Sequence, residues 1–181
     1  MKKLESGRSM VEMLGVLAII GVLSIGGIAG YVLSMNRYRA NAMLDVANKY
    51  AAIVFSSYQS YVASGGAVAS YKAPTLATSK LDGTLQAGTS IAALAEGEGE
   101  TLNNSAAVSG NNVHLAIAFP NQDICETALG VAGYDVGTAV SEGEIPTVPS
   151  SGNTRSCSAE PERADTNGNK LSYGVFTFKQ S

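Results

Sequence analysis

Between Met13 and Met35 the chain runs 23 residues with no ionisable group except Tyr31. As an α-helix that run is about 35 Å long, enough to cross a hydrocarbon core of roughly 30 Å. Lys2, Lys3 and Arg8 precede it, and Arg37 and Arg39 follow, so charge alone leaves its orientation open. A secretory signal peptide has a shorter apolar core, about 7–15 residues, and then a small-x-small cleavage site. The small residues from Gly26 to Gly30 mimic such a site. The run is nevertheless longer, and it continues without a break into an amphipathic pattern, which favours an anchor that stays attached.

The two cysteines, Cys125 and Cys157, lie in the C-terminal half. If the N-terminal segment carries the rest of the chain across a membrane, a disulfide between them is the natural reading. It would close a loop of about 31 residues, worth roughly 3–4 kcal/mol in the chain-entropy treatment. Two buried free thiols are the alternative. Metal binding is disfavoured, because there is no Cys-x-x-Cys and no histidine near either cysteine in sequence. The disulfide reading places the N-terminus inside and the C-terminal part outside.

Glu12 sits at the lip of the apolar run. An acidic group at bilayer depth costs on the order of 3 kcal/mol and generally has a partner or a task. Before it the chain reads Glu5, Ser6, Gly7, Arg8, Ser9, Met10, Val11, and after it Met13, Leu14, Gly15, Val16, Leu17, Ala18, Ile19, Ile20. Over about 30 residues this resembles the prepilin signature of the type IV pilin and type II pseudopilin families, in which a short basic leader ends in Gly and a Glu follows as the fifth mature residue.

The resemblance implies that a prepilin peptidase cuts between Gly7 and Arg8 on the cytoplasmic side and methylates the new amine of Arg8. It implies that Glu12 neutralises the N-terminal amine of a neighbouring subunit during assembly. It also implies an inner-membrane assembly platform as a partner and a homo-oligomeric helical filament as the product. Arg8 departs from the family, which prefers Phe, Met or Leu there. It puts a second positive charge beside the new amine and stands i,i+4 from Glu12, where the two can pair. Glycines at 15, 21, 26, 27 and 30 punctuate the helix, each costing about 1 kcal/mol relative to Ala. By family analogy they suggest close helix contact or local unwinding in the filament.

The helical pattern outlasts the apolar run. Ala42, Val46, Tyr50, Ile53, Ser57 and Tyr61 form a seam at three- and four-residue steps, with Ser64, Gly65 and Gly66 as the stop. One helix from about Arg8 to about Ala63 is expected, with its later turns packed on a head from which the earlier ones protrude. The expected organisation is a leader at 1–7, the apolar half of the helix at 8–35, its amphipathic half at 36–64 and a globular head at 65–181. The fold class is α+β, a pilin fold with an antiparallel sheet in the head.

Within the head, residues 90–95 read as a short helix, and the Glu96, Glu98, Glu100 run as a solvated acidic loop rather than a cation site. Val113, Leu115, Ile117 and Phe119 alternate as one face of a strand, with His114 pointing away from that face. Pro120 and Asn121 read as a turn, and Asp123 as the N-cap of a short helix carrying Cys125 and Leu129. Residues 134–156 read mainly as loop. Asn167-Gly168 is a hairpin signal before a last strand at 171–178. The Asp165, Asn167, Asn169 spacing fails the EF-hand pattern, so a turn is preferred to a calcium loop. The order of strand, Pro, short helix and Cys, with a second Cys before the last hairpin, loosely resembles type IVb pilins, although their leader is longer.

Gly-x-Ser-x-Gly, His-Glu-x-x-His and phosphate-loop patterns do not occur, and His114 is the sole histidine, so catalysis is not expected. No cofactor is expected. With a net charge of −3 and no basic stripe, neither is nucleic acid. The expected function is a structural filament subunit for adhesion, motility or DNA uptake. Alternatives are a type II secretion pseudopilin and a membrane-anchored binding module.

Overall fold

The computed structural model describes residues 5–75, 78–79, 81, 90–94, 108–109, 111–142, 144–147, 152–159 and 170–179. The acidic run at 96–100, the Asn167-Gly168 hairpin and the 165–169 turn lie outside the described residues. The fold is α+β. A 59-residue helix α1 (Glu5–Ala63) comes first, and an antiparallel sheet with one further helix follows. The chain divides into two compact units, Met1–Asn36 and Arg37–Ser181.

In the first unit, residues 10–34 are exposed throughout. In the second unit, α1 becomes one-sided. Ala40, Met43, Ala47, Tyr50, Ala51 and Val54 are each at most 1% exposed, and their spacing of three, four and seven puts them on one stripe. The expected seam lies along the flank of that stripe, with Val46 and Tyr50 buried and Ala42, Ile53, Ser57 and Tyr61 half-buried. Alanines at 40, 47 and 51 keep the stripe shallow, so the helix backbone can approach the sheet closely. The helix ends where Ser64, Gly65 and Gly66 predict. Gly65 takes φ +87°, which costs glycine nothing, and Gly66 N donates to the Tyr61 carbonyl at 3.1 Å.

The sheet is built on β3 (Asn112–Phe119). Along its full length one edge pairs antiparallel with β6 (Ser172–Lys179), from Asn112↔Lys179 to Phe119↔Ser172. The other edge is shared by β1 (Ser90–Leu94) and the two-residue β2 (Val108–Ser109). Val113, Leu115, Ile117 and Phe119 face inward with Phe176 and form one core with the α1 stripe. The opposite face is also covered, since Ala116 and Val175 pack with Ile145, and Tyr173 closes over them. The segment after the second helix, read as loop, thus makes β3 a strand buried on both sides.

His114 does point away from the inner face, yet it is buried, and its Nδ1 lies 2.9 Å from Thr177 Oγ1 on the neighbouring strand. Residues 90–94 form a strand rather than a helix. Ala and Leu favour helix by propensity, but pairing with β3 and burial of Ile91 override it. The N-cap of α2 (Gln122–Val131) is Asn121, not Asp123. Asn121 has the extended backbone a cap needs, and its Oδ1 accepts from Ile124 N at 2.9 Å, while Asp123 stands in the first turn. Two short strands, β4 (Asp135–Val136) and β5 (Thr154–Arg155), pair in parallel.

A tyrosine cluster locks α1 to the chain that follows it. Tyr50 is fully buried and donates to the Pro74 carbonyl at 2.7 Å. Tyr71 donates to the Val54 carbonyl, hydrogen-bonds Ser57 Oγ, and receives the Tyr58 ring edge-on with centroids 5.1 Å apart. Burial, helped by the neighbouring Tyr71, pushes the Tyr50 hydroxyl from 10.0 up to about 12. Its folded pKa lies above its unfolded one, so its contribution is complete below pH 10 and is lost as pH rises through about 12. Tyr50→Phe is therefore expected to flatten the loss of stability over that alkaline window, read from denaturant midpoints at a series of pH values. An unchanged slope would refute the assignment.

Candidate functional site

Two features of this chain bear most directly on what it does. The first is the apolar surface of α1. The helix is long and apolar enough to cross a membrane, and its most apolar window is 0% buried. Leu14, Leu17, Ile20, Leu23, Ile25 and Ile28 are each more than half exposed. Such a surface in water costs roughly 25 cal/mol per Å², so it demands lipid or other apolar helices. The run's two serine hydroxyls are already satisfied within the helix: Ser24 Oγ donates to the Ile20 carbonyl at 2.8 Å and Ser34 Oγ to the Gly30 carbonyl at 2.9 Å. Neither would leave a donor unpaired in hydrocarbon. A Cβ added at Gly15, Gly21, Gly26, Gly27 or Gly30 would meet nothing within 4 Å, so among the described residues no packing contact demands these glycines. Gly7 and Arg8 lie in the first turns of α1, and Glu12 lies one turn further on, exposed.

The second feature is the disulfide between Cys125 and Cys157, with Cα atoms 6.2 Å apart and a sequence separation of 32. Both residues are buried. Cys125 comes from α2, while Cys157 forms a β-bridge with Gly174 of β6. The bridge lies so close over that strand that a Cβ on Gly174 would sit 2.7 Å from Cys125 Sγ. Glycine there is a packing requirement of the crosslink. With both thiols consumed, the alternatives of free thiols and of thiolate metal ligands no longer apply.

Two arrangements were not visible in the sequence. Gly133, at φ +84°, closes α2 and lets Tyr134 N reach back to the Leu129 carbonyl at 3.0 Å. Tyr134 then clamps β6, donating from its hydroxyl to the Thr177 carbonyl at 3.0 Å and accepting from Thr177 N at 3.1 Å. The Arg155 guanidinium stacks on its ring, 4.9 Å from the centroid, and Nη1 donates to the carbonyls of Gly152 and Thr154. Beside Tyr134 a cleft of about 450 Å³ opens between α1, the end of α2 and the end of β6. Asn41, Asp45 and Asn48 of α1 line one wall. Their spacing of four and three was the available signal, but only the fold shows what faces them.

Comparison with protein families, with curated proteins and with solved structures gives no significant match. The arrangement of a long apolar N-terminal helix before a small antiparallel sheet fits a pilin-like architecture.

Proposed function

We propose that the chain is the precursor of a structural subunit of a type IV pilus-like filament, without catalysis. The observation that carries this reading is the exposed apolar surface of α1, preceded in sequence by Gly7, Arg8 and Glu12. On this reading the helix holds the precursor in the inner membrane as a single pass, leader inside and head outside. A prepilin peptidase removes residues 1–7 and methylates Arg8. The subunit then leaves lipid for the filament, where its apolar surface is buried against the same surface of other copies. Hydrophobic area is thus re-buried rather than exposed, which makes extraction from the bilayer thermodynamically feasible.

Head contacts and Glu12 would fix the register between copies. The Cys125–Cys157 bridge favours a pilus subunit over a type II secretion pseudopilin. It also suits an oxidising compartment outside the cytoplasm.

The test is the intact mass of the chain expressed in cells that contain a prepilin peptidase. The wild type is expected to lose residues 1–7 and to carry one methyl group. Gly7→Ala is expected to remain full-length in the membrane fraction. Normal cutting of Gly7→Ala, or a mature chain that starts elsewhere, would sink the assigned junction.

A further inference from the structure

The cleft beside Tyr134 belongs to neither the anchor nor the disulfide, and its chemistry is specific. Asn41, Asp45 and Asn48 recur at i, i+4 and i+7 of α1, so all three present from one stripe, and all are exposed. Opposite them stand Thr177 and the half-buried Phe178 of β6, with the exposed Val131 and half-buried Tyr134 at the end of α2. The volume, about 450 Å³, falls in the range of small-ligand sites.

The polar wall carries no lysine or arginine among its lining residues. The end of α2 contributes the negative pole of a helix, which disfavours an anionic ligand. The Asp45 carboxylate is held by Lys49 Nζ at 2.6 Å, so the lining offers no unpaired charge to attract a simple cation. What remains is a ligand that both donates and accepts along one side and is apolar on the other. Each carboxamide offers a donor and an acceptor in one plane. Asn48 spends one N–H on the Leu44 carbonyl at 3.0 Å and keeps the rest. Adjacent hydroxyls of a sugar ring match that pattern, and the C–H face of the ring matches Phe178 and Val131.

The geometry points to this cleft as a binding site for a neutral carbohydrate, one hexose or N-acetylhexosamine unit deep, with Asn41 and Asn48 as its hydrogen-bonding residues. The inference does not rest on filament assembly and is tested on the dispersed subunit. The full chain is held in phosphocholine micelles, since a maltoside detergent would compete. Saturation-transfer NMR is recorded with methyl β-galactoside, methyl α-mannoside and N-acetylglucosamine as probes. Transfer to at least one probe is expected. Asn41→Ala and Asn48→Ala should each weaken its binding by about tenfold or more, while Gln59→Ala, on another part of α1, leaves it unchanged. All three side chains are exposed, so an unchanged melting curve separates lost binding from lost fold. Absence of transfer from every probe would overturn the assignment, and so would transfer that survives both cleft variants. The remaining rival occupant is a second copy of the chain. If Asn48→Cys in assembled filaments is shielded from a thiol reagent that modifies it in micelles, the cleft is a subunit contact and the carbohydrate assignment falls.

Discussion

Cys125→Ala with Cys157→Ala is expected to lower the stability of the head by about 3–4 kcal/mol, seen as a fall of roughly 10 °C in its melting temperature. The figure follows from the loop that the bridge closes: a sequence separation of 32 confers a chain-entropy benefit slightly above that of a short loop. Local packing sets the sign of any correction. Gly174 leaves β6 without a side chain beneath the sulfurs, so alanines there remove sulfur volume that the strand cannot fill. The loss should therefore fall at the upper end of the range. Serine is the worse replacement, since it would bury two hydroxyls at positions that are at most 1% exposed. Because both sulfurs are buried, reductant should act on the wild type only as fast as the head opens. A melting temperature within a degree or two of wild type would show that the crosslink is incidental.

The parts of this fold that were legible in sequence are those with a period. The apolar run and the later helical stripe predict α1, and Gly65 marks its end within a residue or two. Alternation at Val113, Leu115, Ile117 and Phe119 predicts β3, and the last aromatic run predicts β6 to within one residue. The cysteines predict their own pairing once export is assumed. What was not legible depends on tertiary context. Ser90 to Leu94 has helix-forming composition and becomes a strand only because β3 offers an edge. The choice between Asn121 and Asp123 as cap turns on one residue's backbone angles, which no spacing rule reports. The outer face of the sheet is covered because a segment without periodicity brings Ile145 onto Ala116 and Val175, and no alternation in that segment announces it. The cleft joins residues from three elements far apart in sequence. A spacing of four and three on α1 identifies a stripe, but not what the stripe looks at.

On the filament reading, Glu12→Val is expected to abolish assembly while leaving insertion, leader removal and the head disulfide intact. Between Met10 and Met35 only Glu12 and Tyr31 can ionise, and Glu12 is exposed on the apolar part of α1. An unpaired carboxylate in lipid costs on the order of 3 kcal/mol, and Glu12 already has an interaction within its own subunit. On this reading, what separates membrane from filament is the exchange of that interaction for the N-terminal amine of a neighbouring copy, with the lipid cost as its upper bound. Valine removes the difference and improves the fit to lipid, and it leaves the partner amine without a counter-charge. At 1.4 kcal/mol per tenfold, a loss of up to about 3 kcal/mol shifts the distribution toward the membrane by as much as about a hundredfold. Arg8 enlarges the charge that Glu12 must balance, since the amine and the guanidinium then lie within a turn or so of one another. Glu12→Asp, which keeps the charge on a shorter arm, should recover part of the assembly, whereas Glu12→Gln should recover little. Sedimentable filaments counted by electron microscopy, set against membrane-bound subunit on the same samples, give the readout. Wild-type filament yield from Glu12→Val would remove the carboxylate from the assembly step, and would leave helix packing and head contacts to drive it.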